Sequence, residues 1–379
     1  MNILVDASQI PRNKGGVGVY AVGLVRALAA GASPHELTVL VQSDEHDFEG
    51  IESARVRLVK VPARIFRRLV CRFVLEQLLM PLILFWRRID VIHSLHYSFP
   101  LFATRAKRVV TVHDLTFFRF PQLHTAFKRY YFKAFTRLAA RIADRVITVS
   151  EGTRRDFMEV TGADPRKIRT VHLGRTELPD GWFREDILEA ARKRFGIDGD
   201  YLLFVGTLEP RKNLQNLVRA YAALLKDGIA HRLVVVGGEG WDCGALFALV
   251  RELGVHERVV FTGYVDERTK VHLLQGAALF AYPSIYEGFG IPVLEALSLG
   301  VPTITGTAPA LSEVAGDAAL RVDPHDADAL YRGMKRLLKD ESLRRELSAK
   351  ALRRSKEFSW RKAAEKTEAV YAAALRGIP

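Results

Sequence analysis

Cysteine is nearly absent: Cys71 and Cys243 are the only two in 379 residues, and they lie far apart. That excludes a disulfide framework and a zinc-ligand pair. The opening residues MNILVDAS lack a basic stretch followed by an apolar core, so no signal peptide is expected and a reducing cytoplasm is the default location. Apolar runs of membrane-spanning length are also missing. LLMPLILFW (78–86) is too short and is broken by Pro81. There is no low-complexity tract and no short-period repeat. What remains is ordinary globular composition, 49% hydrophobic and 26% charged, in a chain long enough for two domains.

Acidic residues are scarce in one half only. The net charge is +13; residues 1–180 carry 28 Lys and Arg against 17 Asp and Glu, whereas residues 181–379 carry 28 against 26. Much of the basic excess lies in ARIFRRLVCRF (63–73) and FWRR (85–88), on either side of the apolar stretch. Two readings stay open: an amphipathic segment resting on an anionic membrane surface, or a core helix with a solvated basic face. No nucleic-acid motif or aromatic–basic repeat is present, so a nucleic-acid partner is not expected.

Short apolar runs alternate with helical patterns. In the first half they are 2–7, 37–42, 56–61, 90–94, 108–114, 145–150 and 168–174. Their continuous apolar character predicts strands buried on both faces of a parallel sheet. The pattern restarts at 201–206, 232–238, 258–263, 278–284, 302–305 and 319–323. The expected architecture is α/β: two Rossmann-like, doubly wound domains facing a cleft. Residues 1–178 form the first, 179–200 a polar linker and 201–357 the second, with 358–379 as a closing helix. Ligands in such sheets bind beyond the carboxyl ends of strands, so the loops after strands carry the candidates.

The loop NKGGVGVY (13–20) follows the first strand. Gly15, Gly16 and Gly18 let the backbone approach a ligand ahead of a helix N-terminus, or simply make a tight packing turn. It is not GxGxxG, and no acid follows strand two to hold a ribose, so NAD is disfavoured. His113 and Asp114 end a buried strand, where a polar pair points to a site or to a hydrogen-bonded structural histidine. His93 and His96 lack a third ligand and read as packing or substrate shape. In VGTLEPRKNL (205–214), Arg211 and Lys212 sit at a strand-to-helix junction, which suits a phosphate or diphosphate. In YEGFGIPVLE (286–295), Gly288 and Gly290 expose N–H groups ahead of a helix starting near Pro292. Glu295 could be only a dipole partner of that helix. Glu287 makes more sense as an acceptor for the hydroxyls of a sugar. The Asp-Gly-Asp at 198–200 reads as a turn rather than a metal motif.

These motifs resemble glycosyltransferase family 4, with the two-Rossmann architecture called GT-B. The matching stretches are KGGVG (14–18), HD (113–114), TVSE (148–151), VGTLEPRKN (205–213), FTGYV (261–265), EGFGIPVLE (287–295) and the C-terminal FSWRKAAEKTEAVY (358–371). They cover both domains in order, and the E-x7-E spacing is highly specific there. The resemblance implies a nucleotide-sugar donor bound mainly by the second domain, with Glu295 on the ribose hydroxyls and Lys212 with Arg211 on the diphosphate. Glu287 with Gly288, Phe289, Gly290 and Ile291 would hold the transferred sugar, and Tyr264 and Val265 would border the base. His113 would touch the sugar near the reacting carbon, Gly15 and Gly16 would approach the diphosphate, and 358–379 would cross back to the first domain. Thr207, after Gly206, stands where many relatives carry arginine and gives only a hydroxyl. The family retains anomeric configuration and needs no metal or other cofactor.

EPRKN with IYEGFGIPVLEA is most similar to bacterial mannosyltransferases that build surface polysaccharides from GDP-mannose, with a glycan or lipid-linked glycan as acceptor. A UDP-sugar transferase, a UDP-N-acetylglucosamine epimerase of the same architecture and an inactive nucleotide-sugar binder are the alternatives. The expected location is cytoplasmic, with peripheral contact at the inner face of the membrane through the basic first domain.

Overall fold

The computed structural model describes residues 1–10, 15–102, 105–179 and 181–377. Among them, thirteen strands form two sheets. The first contains β1 (Asn2–Asp6), β2 (Glu36–Gln42), β3 (Val56–Val61), β4 (Val91–Ser94), β5 (Lys107–Val112), β6 (Arg145–Thr148) and β7 (Ile168–Thr170), in the order 3-2-1-4-5-6-7. The second contains β8 (Tyr201–Val205), β9 (Arg232–Val236), β10 (Val259–Gly263), β11 (Leu279–Tyr282), β12 (Thr303–Gly306) and β13 (Leu320–Val322), in the order 10-9-8-11-12-13. All of these pairings are parallel. The central strands are buried on both faces, as their unbroken apolar sequences require. Strand order reverses between β1 and β4 and between β8 and β11, so each sheet has one switch point, where the flanking loops diverge.

The chain divides into two compact units. One is Met1–Gly174 together with the chain from Phe358 onward; the other is Arg175–Glu357. The closing helix Trp360–Arg376 packs within the first unit. Trp360 lies so close over Gly23 and Gly174 that a Cβ on either would overlap it, at 2.2 and 2.1 Å. Further along, the Tyr371 hydroxyl meets His93 Nδ1 at 2.7 Å, and His93 Nε2 meets Thr111 Oγ1 at 2.8 Å. His93 is thus a buried packing histidine.

The stretch 179–200, read as a linker, is not a free connector. It carries the helix Glu185–Phe195, which buries Leu188 and Ala191 within the second unit; Asp180 lies outside the described residues. Its polar composition belongs to the solvent face of an amphipathic helix. Asp198, of the Asp-Gly-Asp turn, pairs with Arg232 at 3.1 Å.

The segment 63–86 folds as short helical turns, with a π-helical stretch at Leu75–Leu79. Leu75, Met80 and Leu84 enter the core behind β1 and β2. The opposite face is apolar as well as basic: Val70, Leu78, Leu82, Phe85 and Trp86 are all more than half exposed, and Arg64 and Arg68 are exposed too. No helix among the described residues is long and apolar enough to cross a membrane.

Candidate functional site

In the second unit, side chains and backbone bridge the loops that leave β8 and β11 on either side of the switch point. After β8, Pro210–Lys212 form a single 3-10 turn that ends on Asn213, in the left-handed region at φ 62°. Asn213 is held there by its side chain, which donates to the carbonyls of Pro283 at 3.1 Å and Pro324 at 2.5 Å. That lock aims Arg211 and Lys212 toward the loop after β11. The backbone closes the contact: Ile285 N–H donates to the Arg211 carbonyl at 2.9 Å.

Glu287 sits at the centre. Its Oε1 accepts from Lys212 Nζ at 2.6 Å, Ser284 Oγ at 2.7 Å and Tyr282 Oη at 2.9 Å. Its Oε2 accepts from Arg211 Nη1 at 3.0 Å, and Arg211 Nε pairs with Glu209 at 2.5 Å. Lys212 and Glu287 side chains are each only 9% exposed, so this is a buried network and not a surface pair. Burial alone would raise the Glu287 carboxyl; Arg211, Lys212 and the hydrogen bonds from Lys212 and Ser284 outweigh it and hold it at about 2. Burial, followed by Arg211, pushes the Lys212 ammonium below the usual lysine range. The carboxylate is therefore first a counter-ion that orients two cations, with Oε2 the less crowded oxygen.

Past Glu287, Gly290 adopts φ 104° and opens the helix Ile291–Ser298. A Cβ at Gly290 would overlap Leu311. Phe289 is buried, so its part in any site is through the backbone. Glu295 lies in the second turn of this helix, beyond the first turn where the dipole acts most strongly. Its buried side chain bonds Lys270 Nζ at 2.8 Å. Gly206 follows β8 directly, and Thr207 after it is exposed. Beyond β10, Tyr264 is exposed and Val265 buried.

The remaining candidates belong to the first unit. Gly15 caps the helix Gly16–Ala30, so Gly16 and Gly18 lie in its first turn rather than in a loop; Asn13 and Lys14 fall outside the described residues. His113 follows β5, is buried, and donates from Nε2 to the Leu95 carbonyl at 2.7 Å. That bond leaves Nδ1 as the acceptor, and burial lowers the ring below its usual pKa, so the imidazole is neutral. Asp114 accepts from Thr116 and from Tyr97 Oη at 2.9 Å, a structural role. Among the described residues, no group of three or more His, Cys, Asp or Glu is placed to hold a metal ion.

Sequence reasoning missed Tyr282, Ser284, Glu209 and Lys270. Tyr282 and Ser284 were visible as alternate residues leaving β11, whose side chains share one face with that of Glu287's loop. Tyr282 is stacked against both Phe204 and Phe280, with ring centroids 5.6 and 5.8 Å away, which fixes its hydroxyl. Nothing in the sequence pairs Lys270 with Glu295.

Known proteins match this chain along its length. Residues 14–175 match the family model "Glycosyltransferase Family 4" and residues 189–354 the model "Glycosyl transferases group 1". The O-antigen chain mannosyltransferase B of Escherichia coli is 30% identical, with 98% of this chain and 99% of that one aligned. The serotype-specific mannosyltransferase WbdA of Escherichia coli is 28% identical over 58% of this chain and 27% of that larger protein. Among solved structures, Anabaena HepE in complex with UDP and glucose superposes with a TM-score of 0.75 at 17% identity, covering 98% of this chain and 99% of that one.

Proposed function

The chain belongs to glycosyltransferase family 4 and is a hexosyltransferase, and on that premise we propose that it moves mannose from GDP-mannose to a glycan or lipid-linked glycan acceptor, with retention of configuration. The observation that carries this reading is the Arg211–Lys212–Glu287 network at the second sheet's switch point. Two oriented cations at the switch-point loops suit a diphosphate leaving group. The near full-length likeness to an O-antigen mannosyltransferase supports mannose over other hexoses.

In this reading the bond between sugar C1 and the donor's phosphate oxygen breaks, and its electron pair goes to the phosphate. The acceptor hydroxyl oxygen bonds C1 on the same face, and its proton passes to the leaving phosphate oxygen. The protein supplies charge stabilisation and position, not a carboxylate nucleophile. Arg211 and Lys212 take the growing phosphate charge, Thr207 adds at most a hydroxyl, and Glu287 holds the cations and meets a sugar hydroxyl. No metal is required. The resemblance also assigns His113 to catalysis; its neutral ring offers an acceptor Nδ1, and His113→Ala is expected to lower kcat. A calorimetric panel of GDP, UDP and ADP tests the donor. Tighter binding of GDP supports mannose; tighter UDP binding removes it and leaves the class standing. An epimer formed from UDP-N-acetylglucosamine without acceptor would replace transferase by isomerase, and the anomeric signal of the product tests retention.

The acceptor side of the proposal includes an anionic membrane surface. The exposed apolar face of 63–86 is flanked by the exposed Arg64, Arg68, Arg87 and Arg88. Apolar insertion with basic flanks is the physical signature of interfacial binding. The protein is expected to float with vesicles containing anionic lipid, and Trp86→Ser with Phe85→Ser to stay behind. Equal recovery with neutral vesicles, or none with either, would overturn this.

A further inference from the structure

Lys270 stands outside every motif, yet it is committed to Glu295. It lies on the helix Glu267–Gln275, just beyond β10. Asp266 caps that helix, accepting from Thr269 N–H at 2.9 Å, so the helix start is fixed. From there Lys270 Nζ reaches Glu295 Oε1 at 2.8 Å and Glu267 Oε2 at 2.8 Å. The Lys270 side chain is 15% exposed and that of Glu295 8%. Burial raises the Glu295 carboxyl above its usual range; Lys270 opposes this and Glu267 adds to it.

We propose that Lys270 is a positioning residue for ribose recognition: it pins Glu295 Oε1 and so fixes the orientation of the carboxylate, leaving Oε2 to accept from the vicinal hydroxyls of a nucleotide ribose. The proposal rests on the reading that Glu295 receives the ribose. The side-chain geometry engages Glu295 through Oε1, on Lys270. A carboxylate accepts two hydroxyl protons; a neutral carboxyl donates one of its own and loses an acceptor position. Lys270 therefore fixes the rotamer of Glu295 and favours its charged form, without touching the nucleotide. The charged groups that face Glu295 are Lys270 and Glu267, both from the same helix.

The test is the calorimetric affinity ratio of GDP over 2′-deoxy-GDP, and of UDP over 2′-deoxy-UDP, in wild type, Lys270→Met, Lys270→Arg and Glu295→Gln. Loss of a charge-assisted hydroxyl contact is worth about a tenfold to hundredfold change. Lys270→Met should collapse the ratio by about that much through weaker ribonucleotide binding, with deoxynucleotide binding little changed. Lys270→Arg should restore most of it. In Lys270→Met the loss of ribonucleotide affinity on acidification should begin at higher pH than in wild type, because Glu295 binds ribose hydroxyls best when ionised and the variant raises its pKa. A purely structural role would weaken both nucleotide forms alike and leave the ratio intact; that result overturns the proposal. If Glu295→Gln collapses the ratio and Lys270→Met does not, the ribose reading survives and the role of Lys270 is wrong. If Glu295→Gln leaves the ratio unchanged, the ribose reading fails and the proposal with it. Circular-dichroism melting of each variant separates misfolding from these outcomes.

Discussion

Two buried acids, one in each unit, are driven in opposite directions. Burial alone pushes both Glu287 and Glu76 toward the neutral form. Glu287 faces Arg211 and Lys212 and stays near 2. Glu76 is pushed up to about 8, by burial first and then by its neighbour Asp6, itself buried; Arg72, 3.4 Å away, opposes this only in part. Gln9 Nε2 at 2.9 Å and Ser98 Oγ at 3.0 Å complete the Glu76 surroundings with neutral donors. Desolvation makes each charge expensive, and the number of cations facing it decides whether the charge is kept. A carboxylate kept charged by two oriented cations is organised for an ionic ligand, whereas a carboxyl kept neutral serves the packing of the segment that carries it.

The sharpest way to break this contrast is Glu287→Ala. It strands two buried cations, so stability should fall by about 3–5 kcal/mol in urea unfolding. Turnover with the true acceptor should fall on the order of hundredfold or more. Unchanged turnover would remove Glu287 from the site. Lys212→Ala comes next: losing one charge-assisted contact should raise the donor Kd about tenfold to hundredfold.

Melting temperature against pH probes the two acids directly. Glu287, with its pKa depressed in the fold, contributes stability above its unfolded value of 4.5 that is lost as pH falls toward 2. Glu76, with its pKa raised in the fold, contributes stability that is full below 4.5 and is lost as pH rises through 8. Glu76→Gln should flatten the alkaline slope and leave the acidic one. An alkaline slope that survives Glu76→Gln would contradict the assignment. The smallest expected effect is that of EDTA, which should leave transfer rates unchanged; loss of activity restored by a divalent cation would overturn the metal-free mechanism.

The same contrast shows what the sequence could convey. Strand identity was legible because parallel strands buried on both faces carry unbroken apolar runs, and all thirteen elements fall where those runs lie. Lys212 and Glu287 were legible as candidates, each in the loop that follows a strand. Their contact was not, because it joins residues 75 positions apart through a lock that depends on the Asn213 side chain. Glu76 was legible only as a polar residue ahead of the apolar stretch 78–86, and its burial was not: one acid in a basic, apolar segment looks solvated until a π-helical turn places it and Gln77 inward with Leu78 and Leu79 outward. The helical stretch in 178–200 was legible, but the packing of Glu185–Phe195 within the second unit was not, since a mostly solvated amphipathic helix has the composition of a connector.

Whether the Arg211–Lys212–Glu287 network receives a nucleotide sugar is decided by calorimetric titration of GDP-mannose into wild type, Lys212→Ala and Glu76→Gln. Glu76→Gln should bind with wild-type affinity and Lys212→Ala should lose about tenfold or more. Equal affinity in all three proteins would contradict that role of the network.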